Sequence, residues 1–143
     1  MSGIPGDGLD DEAIKGILQK RHIAVVGASR DTTKAAGFVP EFLMKKGYNI
    51  IPVNPFAETV LGRKCFRSLA DVGERIDIVD VFRPSAEAER VVEEASARGA
   101  KIVWLQEGIY SLGAAQKART LGLTIAWNRC LMKEFQRIQG AQL

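Results

Sequence analysis

The chain has 143 residues, of which 46% are hydrophobic and 26% charged, and its formal net charge is +3. This length suits one globular domain and is too short for two full-sized ones. No apolar run approaches the roughly 18 residues that a membrane helix needs, and no leader for secretion is recognised. Two cysteines, Cys65 and Cys130, make no disulfide framework, so we expect a cytoplasmic protein without a membrane partner.

The charge is unevenly distributed along the chain. Residues 1–12 hold four acids and no Lys or Arg, so the remaining residues carry 20 bases against 13 acids. This excess of positive charge suits an anionic ligand. We expect no nucleic-acid partner, because no dense Lys/Arg run with interleaved aromatic residues is present.

The first elements are predicted from periodicity and from turn-forming residues. Residues 1–9 are rich in Gly, Pro and Asp and are predicted to be a mobile segment before a single domain over residues 10–143. A helix is predicted over Asp10–Lys20 and a first strand over 22–27. After a loop at 28–37, a helix should begin near Val39, because Pro40 is tolerated only in a first turn, and end at Gly47.

Strands and helices then alternate to the end of the chain. Further strands are predicted over Tyr48–Val53, Ile76–Phe82, Lys101–Leu105 and Leu123–Trp127. Ser85 and Ser111 should cap the helices between the last three strands, and residues 131–139 form a closing helix. This alternation predicts an α/β, Rossmann-like doubly wound parallel five-stranded sheet with helices on both faces.

Polar residues directly follow the predicted strands. They are Ala28-Ser29, Asn54-Pro55, Arg83-Pro84, Gln106-Glu107-Gly108 and Asn128-Arg129-Cys130. The carboxyl ends of parallel strands meet at one edge of the sheet, where ligands bind in this architecture. We therefore expect the functional site at this edge.

The turn after the first strand, Gly27-Ala28-Ser29, predicts exposed backbone N–H groups for a phosphate-bearing ligand. It lacks the G-x-G-x-x-G pattern of dinucleotide enzymes and does not match a Walker loop. Val53-Asn54-Pro55 also ends the second strand without the acid that would bind a ribose. These departures argue against NAD, and a plain strand-to-loop turn is the alternative.

Three further residues have a functional and a structural interpretation. Lys34 is either a phosphate contact or a solvated lysine, and Arg83 either binds phosphate with its planar fork or pairs with an acid. Cys130 is either a reactive thiol beside Arg129 or a buried inert one. His22 begins the first strand, at the opposite edge, and no Cys/His cluster with metal-ligand spacing is present.

The chain resembles the small single-domain CoA-binding proteins and the CoA-binding domain of the succinyl-CoA synthetase alpha subunit, from about His22 to Phe135. The resemblance depends on the order and spacing of several motifs taken together. They are Val26-Gly27-Ala28-Ser29, Lys34, Pro52-Val53-Asn54-Pro55, Gly62 with Ser68-Leu69, Asp77–Arg83, Gly99-Ala100-Lys101, Trp104–Ile109, Gly122-Leu123 and Arg129-Cys130.

The resemblance implies coenzyme A as the cofactor. We expect no catalytic residues, because no acid–base or nucleophile–base pair is evident in the sequence, and no metal ligands. In this family the turn after the first strand meets the phosphates, a lysine contacts phosphate, and the later segments flank the adenosine, the pyrophosphate and the length of CoA. The residues at matching positions are Gly27, Ala28, Ser29, Arg30, Lys34, Val53, Asn54, Pro55, Phe82, Arg83, Pro84, Leu105, Gln106 and Glu107.

Two departures from the family pattern bear on function. The family commonly has Met-Asp before Arg-Cys, whereas this chain has Trp127-Asn128. The larger synthetases also carry a second domain with a phosphorylated histidine, and we expect this chain to lack that domain. We therefore expect non-catalytic binding of CoA or an acyl-CoA, in a homo-oligomer or a larger acyl-CoA assembly. The alternative is an NAD(P)-dependent or CoA-linked enzyme that uses Cys130 as a reactive thiol.

Overall fold

The computed structural model describes residues 3–142, which form five helices and seven strands. In chain order these are α1 (Asp11–Leu18), β1 (His22–Val26), α2 (Ala35–Lys45), β2 (Asn49–Val53), β3 (Thr59–Val60), β4 (Arg63–Lys64), β5 (Ile78–Val81), α3 (Ala88–Ala97), β6 (Ile102–Leu105), α4 (Leu112–Thr120), β7 (Thr124–Ala126) and α5 (Leu131–Gln142). Short 3-10 turns cover Leu69–Asp71 and Ser85–Glu87.

Five of the strands form one parallel sheet in the order β2-β1-β5-β6-β7. Helices α1, α2 and α5 pack on one face, and α3 and α4 pack on the other. The predicted Rossmann-like α/β sheet is therefore confirmed. Because the strand order reverses between β1 and β5, a crevice opens there at the carboxyl edge, where such sheets bind ligands.

The central strands are buried on both faces, which explains their nearly continuous apolar sequences. On β5 and its neighbour β6, Val79 and Val103 face α3 and α4, while Ile78 and Trp104 face the other helical layer. Asp80 interrupts this pattern, since it is fully buried among apolar residues.

The prediction that the second helix begins near Val39 is wrong, because α2 begins at Ala35 and contains Pro40. Proline has no N–H to offer to the carbonyl four residues earlier, which is that of Ala36. The Ala36 carbonyl instead accepts the Ser29 N–H at 3.0 Å. The proline is thus tolerated inside the helix because the loop after β1 satisfies the carbonyl.

Two predicted helix caps have different outcomes. Ser111 caps α4 as predicted, and its Oγ accepts the Ala114 N–H at 3.1 Å. The cap predicted at Ser85 is wrong, because its Oγ accepts the Tyr110 N–H at 3.1 Å. A 3-10 turn precedes α3, so Ser85 does not occupy the usual capping position.

Residues before α1 contact the end of β7. Trp127 donates its indole N–H to the Pro5 carbonyl at 2.7 Å and its backbone N–H to Asp7 Oδ2 at 3.2 Å. Mobility of residues 1–9 stays a prediction, and these contacts argue against it. Among the described residues, no helix has both the length and the apolar character required to span a membrane.

Candidate functional site

A cleft of about 360 Å³ opens at the carboxyl edge of the sheet, between the ends of β1, β2 and β5 and helix α3. We call it the edge cleft. Its lining residues are Val26, Gly27, Val53, Asn54, Pro55, Phe56, Arg67, Ser68, Leu69, Arg83, Glu87, Arg90 and Glu94. The cleft therefore lies at the strand-order reversal, where the fold places ligand sites.

Gly27 lines the edge cleft at a position that has no room for a side chain. Its φ is +87°, and a Cβ at this position would lie 2.8 Å from the Phe82 carbonyl oxygen and 2.9 Å from Arg83 Cδ. Its N–H donates to the Val53 carbonyl at 2.9 Å. Gly27 thus allows the chain segments that follow β1 and β5 to approach closely.

The prediction that the Gly27-Ala28-Ser29 turn exposes its backbone N–H groups is wrong for two of the three residues. The Gly27 N–H donates to Val53, and the Ser29 N–H donates to Ala36 on α2. Ser29 Oγ accepts the Asp31 N–H at 3.0 Å. The loop is folded back onto α2, so its hydrogen-bonding groups organise the loop itself.

Asn54 connects the ends of β1 and β2. Its side-chain Nδ2 donates to the Ala28 carbonyl at 2.8 Å, and its Oδ1 accepts the Phe56 N–H at 2.8 Å. A single amide thereby fixes two loops that border the edge cleft. Asn54 therefore stands where a dinucleotide enzyme would have a ribose-binding acid, and both its Nδ2 and its Oδ1 are already hydrogen-bonded within the chain.

Acids neutralise two of the three arginines in the edge cleft. Arg83 donates from Nη2 to Glu87 Oε2 at 2.8 Å and from Nε to Glu87 Oε1 at 3.3 Å. Arg90 bridges Glu87 and Glu94 at 2.9 and 2.7 Å. Hydrogen bonding from Arg83 holds the pKa of Glu87 below its usual value. Of the two interpretations of Arg83, the structure shows the salt bridge to an acid.

A second polar group joins Asp80 on β5 to Gln106, which directly follows β6, on the face covered by α5. Gln106 Nε2 donates to Asp80 Oδ1 at 2.6 Å, while Asp80 Oδ2 has no partner among the described residues. Burial raises the pKa of Asp80 to about 7, and the hydrogen bond from Gln106 opposes this shift. Asp80 can therefore gain or lose a proton near neutral pH.

Asn128 positions the turn that follows β6. It has a φ of +54°, and its Oδ1 accepts the Gly108 N–H at 2.7 Å. Asparagine tolerates this left-handed conformation better than most residues with side chains. The residue that stands in place of the family's aspartate is thus a hydrogen-bond acceptor for this turn.

Cys130 is buried at the start of α5, with 7% of its surface exposed. Burial raises the pKa of its thiol, although backbone N–H groups of Lys133 and Met132 oppose the shift. Arg129 is engaged by Asp7, which accepts from Nε at 2.7 Å. These observations favour the inert interpretation of Cys130.

The structure brings together some of the predicted site residues and separates others. Gly27, Val53, Asn54, Pro55 and Arg83 line the edge cleft. The other predicted residues do not belong to its lining: Ala28, Ser29, Arg30, Lys34, Phe82, Pro84, Leu105, Gln106 and Glu107. Arg30 and Lys34 are exposed, and Glu107 pairs with Lys133 at 2.8 Å.

Sequence reasoning missed the other polar lining residues. Glu87, Arg90 and Glu94 recur three and four positions apart, and this helical spacing could have indicated a shared face on α3. Arg67 carries no comparable local signal. It reaches the cleft because the neighbouring Phe66 is bridged in parallel to Val53 on β2.

A family model described as a CoA binding domain matches residues 21–136. The chain belongs to this CoA-binding domain family. Membership confirms the resemblance seen in the sequence, and it supports an interaction with CoA in general.

Relatives of this CoA-binding domain include both small and large proteins. The chain is 38% identical over 119 residues to the uncharacterized protein YneT of Bacillus subtilis (strain 168), covering 82% of this chain and 88% of that protein. It is 30% identical over 91 residues to an ADP-forming acetate–CoA ligase of Methanocaldococcus jannaschii, covering 64% of this chain but only 13% of the ligase.

A solved structure of a hypothetical protein from Pyrococcus horikoshii OT3 is 43% identical to this CoA-binding domain, with a TM-score of 0.92. The match covers 96% of this chain and 97% of that chain. The same single-domain architecture therefore occurs in a chain of similar extent.

Proposed function

We propose that this chain binds CoA or an acyl-CoA in the edge cleft and catalyses no reaction on it. The observation that carries the proposal is the convergence of the β1, β2 and β5 carboxyl ends on one cleft, whose lining holds three arginines and the two glutamates that pair with two of them. This is where sheets of this strand order bind nucleotide-like ligands. Membership of the CoA-binding domain family identifies CoA as the nucleotide-like ligand to test.

The size and position of the edge cleft suit the nucleotide portion of CoA. A volume of about 360 Å³ falls within the range of small-molecule sites. In our proposal, Val53, Asn54 and Pro55 flank this portion on the β2 side and Arg83 on the β5 side. The pantetheine arm then extends past the ends of β5 and β6 toward Gln106 and Glu107.

Two cations on the loop after β1 have a different role in this proposal. Arg30 and Lys34 are exposed on the loop after β1 and do not line the cleft. Long cationic side chains in such positions attract an anionic ligand from solution, and salt weakens this effect. We therefore assign Arg30 and Lys34 to steering of CoA and not to fixed contacts.

Three observations support binding without catalysis. Cys130 is buried and the pKa of its thiol is raised, which disfavours the nucleophilic thiolate. Glu107 is paired with Lys133. His22 lies at the first position of β1, at the amino edge of the sheet and away from the edge cleft.

A ligand titration with paired probes tests the proposal. Calorimetry should detect binding of CoA and acetyl-CoA and no comparable binding of NADH. Acetyl-CoA incubated with the protein should remain intact, as measured by release of free thiol. Binding of NADH in preference to CoA, or turnover of acetyl-CoA, would favour the enzyme alternative.

Hydrogen–deuterium exchange locates the site. On CoA binding, protection should increase around residues 53–56, 66–69 and 83–90, which border the edge cleft. The matched control is a second cavity at the amino edge, lined in part by Arg75, Asp77 and Lys101. Protection confined to this amino edge would contradict the proposed site.

Two further assignments belong to the same proposal. A reducing cytoplasm suits the free buried thiols of Cys65 and Cys130. We also propose that the chain serves as a carrier, sensor or subunit in a homo-oligomer or a larger acyl-CoA assembly. Light scattering with and without CoA measures the oligomeric state directly.

A further inference from the structure

One arginine of the edge cleft differs from the other two in its charge balance. Arg83 and Arg90 are both paired with carboxylates. Among the residues whose side chains the structure describes, Arg67 has no hydrogen-bond or ion-pair partner. Its guanidinium therefore retains all of its donors for a ligand.

The backbone next to Arg67 is nevertheless fixed. The Phe66 N–H donates to the Pro52 carbonyl at 2.9 Å, and the Phe66 carbonyl accepts the Asn54 N–H at 2.8 Å. Because this bridge to β2 is parallel, the chain leaves Phe66 toward the carboxyl edge and places Arg67 beside Asn54. A free cationic side chain thus projects from a fixed point on the cleft rim.

The same rim carries an exposed aromatic ring. Phe56 also lines the edge cleft, and 90% of its surface is exposed. Its backbone is held by the Asn54 side chain, which accepts the Phe56 N–H. Rings presented in this way supply a flat apolar surface on which a nucleobase can stack.

We propose that Arg67 binds the terminal 3′-phosphate of CoA and thereby selects CoA over its dephosphorylated form. This inference rests on the proposed function. A phosphomonoester carries nearly two negative charges at pH 7 and accepts paired hydrogen bonds from a planar guanidinium. Arg67 lies at the β2 end of the cleft, opposite the side assigned to the pantetheine arm, so it faces the nucleotide end. Phe56 supplies the surface for the adenine.

Paired ligands and paired variants test this assignment. Dissociation constants for CoA and for dephospho-CoA, which lacks only the 3′-phosphate, are measured with the unaltered chain and with Arg67→Gln, Phe56→Ala and Arg119→Gln. Arg119 is an exposed cation on α4, outside the edge cleft, so its variant controls for net charge.

The three variants should give different patterns of binding. Arg67→Gln should weaken CoA about tenfold or more and leave dephospho-CoA within about twofold, because one charge-assisted contact is lost. Phe56→Ala should weaken both ligands by a similar factor, since both contain adenine. Arg119→Gln should change neither binding constant appreciably.

Two results overturn the assignment while leaving the proposed function intact. They are an equal loss of both ligands in Arg67→Gln, and unchanged binding of both. Failure of the unaltered chain to bind either ligand overturns the proposed function and this inference together. A pH series adds a further readout, because discrimination by Arg67 should decline as the phosphomonoester gains a proton near its second pKa of about 6.

Discussion

Arg129 holds the Asp7 carboxylate with two hydrogen bonds, from Nε to Oδ2 at 2.7 Å and from Nη2 to Oδ1 at 2.8 Å. The Asp7 side chain is 1% exposed, and the Arg129 side chain is 21% exposed. Burial alone would raise the pKa of Asp7, but Arg129 and the Leu9 and Trp127 N–H groups together hold that pKa below its usual value. This pair therefore attaches residues before α1 to the end of β7.

Asp7→Asn should lower the free energy of unfolding by about 2–3 kcal/mol near neutral pH, because Arg129 then loses the Asp7 counter-charge. This is less than the loss of a fully buried pair, because Arg129 is partly exposed and keeps Glu134 as a second carboxylate partner at 3.5 Å. Since the pKa of Asp7 is lowered in the folded state, its contribution is present above the unfolded value of 3.8 and is lost as pH falls through the folded pKa. Urea titrations at pH 7 and pH 3 measure the difference.

Asp11→Asn is the control for this prediction, since Asp11 pairs with Arg137 on the surface. Its effect should be much smaller than that of Asp7→Asn. Faster proteolysis of the first nine residues in Asp7→Asn alone would indicate that Arg129 anchors them. Equal protease sensitivity in the unaltered chain would support the predicted mobile segment.

Gly27→Ala should destabilise the fold by about 1–3 kcal/mol and weaken CoA binding, because a methyl group enters space held by Phe82 and Arg83 at an unfavourable φ. Thermal unfolding with and without CoA measures both effects. Gly16→Ala on α1 is the control, since nothing lies within 4 Å of the added methyl group. It should stabilise the chain by about 0.5–1 kcal/mol. Equal behaviour of the two variants would contradict the close approach at Gly27.

Asp80→Asn should reduce the pH dependence of stability. Burial raises the folded pKa of Asp80 to about 7 from 3.8. The stability of the unaltered chain is therefore not reduced by ionisation of Asp80 below pH 3.8, and this part of the stability is lost as pH rises through 7. The variant should therefore gain most at pH 8, by at most about 4 kcal/mol, and little at pH 4.

Chemical denaturation across this pH range checks the Asp80 prediction. Glu58→Gln is a suitable control, because Glu58 is exposed and has no side-chain partner among the described residues. A stability gain for Asp80→Asn that is the same at pH 4 and pH 8 would show that the carboxyl does not titrate in this range.

Both cysteines should react slowly with iodoacetamide in the folded chain at pH 7. Cys65 and Cys130 are each 7% exposed, and burial raises the pKa of both thiols. Mass spectrometry of timed samples measures each site, and labelling in urea gives the reference rate. Rapid labelling of Cys130 alone in the folded state would revive its interpretation as a reactive thiol.

The sheet could be predicted from the sequence because burial of a strand on both faces leaves a local signal. Ile78, Val79 and Val81 form such a run on β5. The α2 boundary could not be predicted in the same way. Pro40 indicates a first turn by local rules, and only the distant Ser29 N–H, which satisfies Ala36, makes an earlier start favourable.

The candidate site shows the same division between local and long-range information. Strand ends place Gly27, Asn54 and Arg83 at one edge, so position along the chain was sufficient to predict them. Arg67 depends on pairing between Phe66 and Val53, and no local pattern reports this pairing. The acid partners of Arg83 also depend on side-chain geometry, which decided between phosphate binding and a salt bridge.

The bridge between Val53 and Phe66 also closes the base of the loop that contains the β3–β4 hairpin. Asn54 precedes the β3–β4 hairpin and Phe66 follows it. The Asn54 N–H donates to the Phe66 carbonyl, so these two residues anchor the hairpin to the edge of the sheet. The hairpin itself is also fixed, because Val60 is buried in the core and Leu61 packs against it. A change confined to the exposed side chains of β4, with these two anchors retained, should therefore leave the edge cleft in place.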